Sequence, residues 1–385
     1  MQAFRTFSTV ITMKLTAATL FFSAVLAQTN FTGDTLQGYP VIEYLDLADV
    51  PANTISRYWI SAAEAQGGLP YFLPVFVARG TESSLDSGRR LSLSASTHGD
   101  ELNGIPVVQR VFADLESVVS SGGFNGTVIG LPTQNPNGNI LNQRNFFSSS
   151  NNGFFTNLNR VFPGTSVAEG GSIGTSYAYT IWNNIWGNGS NADIAVDFHT
   201  LSTGSDGPLW CYADYRLDGV QRLAELTEAD VIKIDPGEPG SVETTWVDYG
   251  VPAITLEIGP AKQWNQTLIR RSQEFVWRLL DDLSMLPSNF TVPDESVSIG
   301  LESSYRATNF STVVAERSGW VQMDVSPLQD VEEGQAVGTV FNSWGDVIQN
   351  LTAGVSGRVL SVRVDAAVEQ GAGVLDIVYN ATASS

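Results

Sequence analysis

Two histidines occur in the 385-residue chain, His98 and His199, and each lies in a run suited to holding a metal ion. Thr97-His98-Gly99-Asp100-Glu101 puts a carboxylate three residues after an imidazole. Ile194-Ala195-Val196-Asp197-Phe198-His199 reads as a buried strand with a polar tip. A catalytic zinc takes three protein ligands and keeps one open position, and His/Glu/His is a standard set. A wholly local site would need a second histidine four residues after His98, but position 102 is Leu. His199 is therefore the expected third ligand beside His98 and Glu101, with one zinc per chain. Asp197 falls on the same strand face as His199 and is expected to accept a hydrogen bond from a nearby imidazole.

Water bound to zinc becomes a usable nucleophile near neutral pH, but a base must receive its proton. Glu257, in Thr255-Leu256-Glu257-Ile258-Gly259, is a lone carboxylate at the end of an apolar strand. Burying it unpaired would be costly, which favours the role of base. Arg144, in Leu141-Asn142-Gln143-Arg144-Asn145, is the candidate to meet negative charge growing on a carbonyl oxygen. Asn159-Arg160 offers an amide beside a guanidinium fork, a pair suited to a substrate carboxylate. Taken singly, either arginine reads more readily as a surface residue or a salt-bridge partner.

The elements that must position these groups alternate. Ile55–Ala62 and Tyr71–Val77 read as a hairpin, and Leu91–Ser96 as a strand leading into His98. Ile105–Val119 has helical apolar spacing, and Thr127–Leu131 is a further strand before the turn cluster Asn135-Pro136-Asn137-Gly138. Helices are expected over Tyr177–Trp186, Leu217–Leu226 and Leu268–Leu283, and strands over Ala192–Phe198 and Ala253–Glu257. This alternation predicts an α/β fold, a mostly parallel sheet flanked by helices. Chemistry gathers at the carboxyl ends of such strands, where His98, His199 and Glu257 all fall. From about Ser296 the pattern changes to short strands and Gly-rich turns. Val331–Gly338 and Val368–Val374 resemble each other, suggesting two similar hairpins in a small β module of the lipoyl- or biotinyl-carrier shape. That stretch has no lysine to carry such a group, so a structural or access-limiting cap is the expectation.

Composition narrows the function. Forty acidic against 20 basic residues give a net charge of −20, with lysine only at Lys14, Lys233 and Lys262. That balance argues against nucleic acid and anionic membrane surfaces. Residues 1–27 carry Arg5 and Lys14, an apolar run from Leu15 to Leu26 and small residues before Gln28, the form of a cleaved secretory signal. Met13-Lys14 onward is a complete signal by itself. Eight Asn-X-Ser/Thr sequons, at Asn30, Asn125, Asn188, Asn265, Asn289, Asn309, Asn350 and Asn380, fit a glycosylated extracellular protein. Cys211 is the only cysteine and its neighbours Trp210 and Tyr212 suggest a packed thiol. The expected organisation is a signal peptide over 1–27, a zinc hydrolase domain over 28–295 and a C-terminal β-barrel-like domain over 296–385.

As a set, His98-Gly99-Asp100-Glu101-Leu102-Asn103-Gly104, Asn135-Pro136, Arg144, Leu158-Asn159-Arg160-Val161-Phe162-Pro163-Gly164, Asp197-Phe198-His199-Thr200 and Thr255-Leu256-Glu257-Ile258-Gly259 resemble the succinylglutamate desuccinylase/aspartoacylase family, of the wider zinc-carboxypeptidase fold. The resemblance runs from about Leu91 to Leu283 and implies zinc on His98, Glu101 and His199. It further implies Glu257 as general base, Arg144 on the carbonyl oxygen, Asn159 and Arg160 on the substrate carboxylate, and a C-terminal β domain. One position departs: the acidic residue often found before Leu-Asn-Arg is Asn157 here. The reading is a secreted zinc amidohydrolase or deacylase acting on a small molecule or short peptide with a carboxylate, such as an N-acyl amino acid. Its rivals are a carboxypeptidase and a non-catalytic binding protein on the same fold.

Overall fold

A computed structural model describes residues 28–149, 155–291 and 297–380. The expected signal peptide over 1–27 lies outside the described residues. Two strands, β1 (Asn30–Leu36) and β2 (Tyr39–Tyr44), precede the expected hairpin, β3 (Thr54–Glu64) and β4 (Pro70–Arg79), which pairs antiparallel. A single turn, α1 (Ser84–Ser87), leads to β5 (Arg89–Ala95), α2 (Gly104–Ser120) and β6 (Gly126–Leu131). Next come α3 (Pro136–Leu141), the short pair β7 (Phe146–Phe147) and β8 (Phe155–Thr156), α4 (Ile173–Thr180) and β9 (Ile194–His199). The chain continues through β10 (Ser205–Asp206), β11 (Leu209–Ala213), α5 (Val220–Leu226), β12 (Val231–Ile234), α6 (Val242–Asp248), β13 (Ala253–Ile258) and α7 (Gln266–Asp282).

These strands build one large sheet in the order β1-β2-β3-β4-β6-β5-β9-β13-β11-β12-β14, its last member being β14 (Tyr305–Ala307). Its centre, β6-β5-β9-β13, runs parallel throughout. Both faces are covered. Val107, Val111 and Leu115 of α2 pack with Ile269, Phe275 and Leu279 of α7 on one side. Tyr177, Trp182, Trp186 and Trp246 pack on the other. Strands buried on both faces are apolar along most of their length, as Ala195-Val196 and Ala253-Ile254 are. Cys211 is among the buried residues, packed in the first of these layers.

Two local expectations change. Asn135 to Gly138 do not form an open turn: Asn135 caps α3, its Oδ1 accepting from Gly138 N at 2.8 Å, with Pro136 in the first turn. The helix expected over Tyr177–Trp186 begins earlier, at Ile173, and becomes a π-helical turn over Ile181–Ile185.

Beyond β14 the chain forms a four-strand path in the order β10, Gly357–Arg363, Gly373–Tyr379, Asn309–Val314, with Asp330–Val331 added to it, and a second sheet ordered Val347–Thr352, Ala336–Phe341, Gly319–Met323, Ala367–Val368. The two similar segments are not hairpins. In each, the strand before the turn lies in one sheet and the strand after it in the other. Gly334 at φ +82° and Gly371 at φ +89° turn the chain across. The two regions also interlace, since β10 joins the C-terminal sheet while β14 completes the large one.

Candidate active site

The site is built on the carboxyl ends of the three central parallel strands. β5 ends at Ala95 and releases the loop carrying His98 and Glu101, β9 ends at His199 itself, and β13 carries Glu257 directly opposite His199 in the pairing register. One ligand atom each from His98, Glu101 and His199 lies within 4.8 Å of the others, and all three residues are buried. His199 Nδ1 stands 2.7 Å from Glu101 Oε2. His98 Nδ1 is 2.8 Å from Glu101 Oε1 yet has no hydrogen-bond partner. The far nitrogen of each ring is held: His98 Nε2 donates to Asn157 Oδ1 at 3.0 Å, and His199 Nε2 donates to Asp197 Oδ2 at 2.6 Å. Outer acceptors on Nε2 leave both Nδ1 atoms facing Glu101, the usual way a protein orients metal-binding imidazoles. Asp197 is fixed in turn by Ser94 Oγ at 2.7 Å and Gln134 Nε2 at 3.0 Å. Two imidazoles, one carboxylate and one unused ring nitrogen fit zinc.

Charge organises the surroundings. Burial lowers the affinity of His98 for a proton more than Glu101 raises it. His199 is driven the other way: burial opposes its charge, but Asp197 and Glu101 together hold it well above the usual range. Burial would push Glu101 up, and the two imidazoles outweigh it, keeping the carboxyl well below its usual value. Burial is also the largest influence on Glu257, followed by the charge of Glu101, and pushes it up to about 8. Its Oε2 has no partner. Burial and the charge of Glu101 thus make Glu257 the more basic of the two carboxylates.

The expected substrate groups converge on the same place. Arg144, Asn159, Arg160 and Glu257 line one cavity of about 380 Å³ with the three ligand candidates. Arg144 Nη1 donates to Glu101 Oε1 at 2.7 Å and to Ser202 Oγ at 2.9 Å. Arg160 Nε meets Glu238 Oε2 at 3.0 Å, both side chains being more than a third exposed, a type of pair worth little and easily exchanged for a ligand carboxylate. Asn159 has a structural duty as well, its Oδ1 accepting from Val242 N at 2.8 Å at the start of α6.

Several lining residues were not anticipated: Ser202, Trp210, Tyr212, Asp235 and Glu243. Ser202 follows His199 by three positions and was open to discovery. Trp210 reaches the cavity because β11 pairs antiparallel with β13, setting Trp210 opposite Glu257. Asp235 follows β12 and Glu243 stands in the first turn of α6, capped by Ser241. None of these three elements was read from the sequence.

Residues 87–283 match the succinylglutamate desuccinylase/aspartoacylase catalytic domain family. A search of curated proteins gave no match. The fold is shared with a succinylglutamate desuccinylase/aspartoacylase from Rhodobacter sphaeroides, at 19% identity and TM-score 0.70, over 89% of this chain and 100% of that one. A product-bound structure of the ectoine utilization protein EutE (DoeB) from Ruegeria pomeroyi is similar at 19% identity and TM-score 0.69, over 86% and 97%. An aspartoacylase family protein from Mesorhizobium loti follows at 18% identity and TM-score 0.65, over 92% and 99%. The protein is thus a hydrolase of the deacylase type built on an α/β sheet with a C-terminal β region. It belongs to the succinylglutamate desuccinylase/aspartoacylase family.

Proposed function

We propose that the protein is a secreted, zinc-dependent amidohydrolase that removes an acyl group from an amine-bearing molecule with a carboxylate. One observation carries this reading: the atoms of His98, Glu101 and His199 converge beside Glu257, a carboxyl group with an unpartnered oxygen. Zinc held by those three side chains would supply Lewis acidity and a water acidic enough to attack near neutral pH.

The chain's own residues do the rest. Glu257 takes a proton from the attacking water and gives it to the amine nitrogen as the carbon–nitrogen bond breaks. Arg144 donates to the acyl oxygen as that atom becomes negative. Arg160, released from Glu238, takes the carboxylate in a fork, and Asn159 holds the start of α6 beside it. The products are the free acid and the amine.

Secretion rests on the form of residues 1–27 and on the sequons. None of the eight sequon asparagines is buried, so each is open to a glycan. Among the described residues no helix is long and apolar enough to cross a membrane.

Elemental analysis of chelator-free protein, followed by turnover on a panel of N-acyl amino acids and short peptides, tests the reading. About one zinc per chain and release of free amine from N-acyl amino acids are expected. Zinc with turnover of peptides alone would make it a carboxypeptidase, and zinc with no turnover would leave a binding protein.

A further inference from the structure

The outward face of the second C-terminal sheet carries no charge. In its pairing register Trp320 stands opposite Phe341 and Ala367, Gln322 opposite Thr339, and Thr339 opposite Asn350. Directly paired residues share a face, as do residues two apart on one strand. Trp320, Gln322, Thr339, Phe341, Ala367 and Asn350 therefore point one way. The intervening Val321, Val340, Leu351 and Val368 point the other, into the core. Trp320 is 52% exposed, and Val347, opposite Phe341, is exposed as well. Not one of these outward residues is ionisable, in a chain with 40 acidic and 20 basic residues. An apolar strip of this kind marks a surface that something covers.

The strand Val347–Thr352 also ends its sheet. Edge strands are usually guarded by charge or proline, and Val347-Ile348-Gln349-Asn350-Leu351-Thr352 has neither. It carries a sequon instead, Asn350-Leu351-Thr352, with Asn350 exposed on the outward face and Leu351 buried beneath. Phe341 lies diagonally across from Asn350, a spacing of about 7–8 Å, and Trp320 is one strand further, about 5 Å more. The first sugars of an N-linked glycan span that distance. A pyranose has a polar rim and an apolar C–H face, and that face packs on the negative face of an aromatic ring. Beyond Trp320 an open hollow of about 630 Å³, lined by Trp344, Ser343 and Glu369 among others, gives outer sugars a further ring and polar partners.

We propose that Asn350 carries an N-linked glycan that lies across this sheet, its inner sugars stacked on Phe341 and Trp320, covering the face and guarding the edge. The inference rests on the secretion in the reading above and is independent of the catalytic chemistry. Attachment joins Asn350 Nδ2 to the anomeric carbon of an oligosaccharide delivered as a lipid diphosphate. The amide gives up a proton, and the lipid diphosphate leaves with the electrons of the broken sugar–oxygen bond. The glycan is then a packed part of the fold and not a solvated tail.

The test uses the full chain secreted from a eukaryotic host. Peptide mapping after N-glycosidase treatment should find Asn350 converted to aspartate. T352A, which removes this sequon alone, should lower Tm by about 2 °C, the loss of aromatic contact, and let acrylamide quench tryptophan emission more strongly. In a W320A background T352A should do neither, the non-additivity expected of partners in contact. T352S keeps the sequon and should behave as wild type. N-glycosidase treatment of the folded wild type needs no variant and should give the same rise in quenching; no rise overturns the inference. Equal effects of T352A with and without Trp320 overturn it too. Glycan at other sequons with Asn350 bare overturns it and leaves secretion standing, whereas a chain retained in the cell with every sequon bare overturns both. A dimer that W320A dissociates, with Asn350 bare, would put a second copy on the face and overturn it as well.

Discussion

Glu257 and Glu243 occupy one cavity and are both pushed up to about 8 by burial, but they answer to different tests. Glu257→Gln removes a proton carrier without removing a metal donor. Activity should fall by about 10²–10⁴-fold while elemental analysis still finds zinc; loss of zinc would make Glu257 a ligand. His199→Ala should lose zinc and turnover together. Asp197→Asn keeps the shape but weakens the acceptor on His199 Nε2, so zinc affinity should drop by about 10- to 100-fold, read by competition with a chelator. Glu243 predicts a pH effect on stability. Its folded-state value lies above that of an unfolded glutamate, so between about pH 4.5 and 8 the folded form holds a proton that the unfolded chain has released. Stability therefore declines as pH rises through that window. E243Q, which has no charge to bury, should gain Tm over wild type at pH 9, on the order of 5 °C, with the gain vanishing near pH 5. A constant offset would mean that Glu243 does not ionise in place.

Among the elements, the loop after β5 and the helix α3 depend on each other. Gly99 N donates to the Arg144 carbonyl at 3.1 Å, and Asn139 Nδ2 donates to the Gly99 carbonyl at 2.8 Å. A Cβ on Gly99 would stand 2.2 Å from the Gly138 carbonyl carbon. Gly99→Ala must push α3 away and carry Arg144 with it, so kcat should fall together with Tm; a kcat change at constant Tm would contradict this coupling. The central strands were legible because double burial leaves them without charged residues along their buried length, as in Leu91–Ala95, where only small serines interrupt the apolar residues, and in Ala253–Leu256, and α2 and α7 because their apolar residues recur at helical spacing. Both histidines and Glu257 were legible as polar residues at the ends of such runs. What escaped was decided by distant pairing. β11 holds Trp210 in place through its antiparallel register with β13, and nothing near Trp210 in sequence records that neighbour. Asn135-Pro136-Asn137-Gly138 carries turn chemistry that serves equally well as a helix cap, and the following Asn139-Ile140-Leu141 settles it as a helix. The C-terminal repeat was visible as a repeat, but whether a Gly-rich turn closes a hairpin or crosses between sheets depends on partners 20 or more residues away, such as Arg358 for Asp330.

Across the whole molecule, the C-terminal sheets reach the catalytic loop through backbone. Ser205 and Asp206 pair with Arg363 and Val362, and the Gly204 carbonyl accepts from Val364 N at 2.8 Å, two residues past Ser202. Leu360 and Val378 pack against Trp210. A chain cut after residue 295 should lose cooperative unfolding and turnover together, seen by calorimetry as loss of the native transition; a stable, active fragment would refute this dependence. Asn309 and Asn350 are sequons of the same C-terminal region; under the secretion proposed above, treatment with an N-glycosidase should lower the protein's mass, and an unchanged mass would leave the sequons unused. The interlacing of β10 and β14 also sets an order of assembly. A ribosome delivers His98, Glu101, His199 and Glu257 long before Arg363, yet the loop beside them has no strand to rest against until Arg363 emerges. The loop beside the ligand candidates therefore completes its pairing only once Arg363 has been made, long after those candidates themselves, and the nascent chain travels with its cutting edge unfinished.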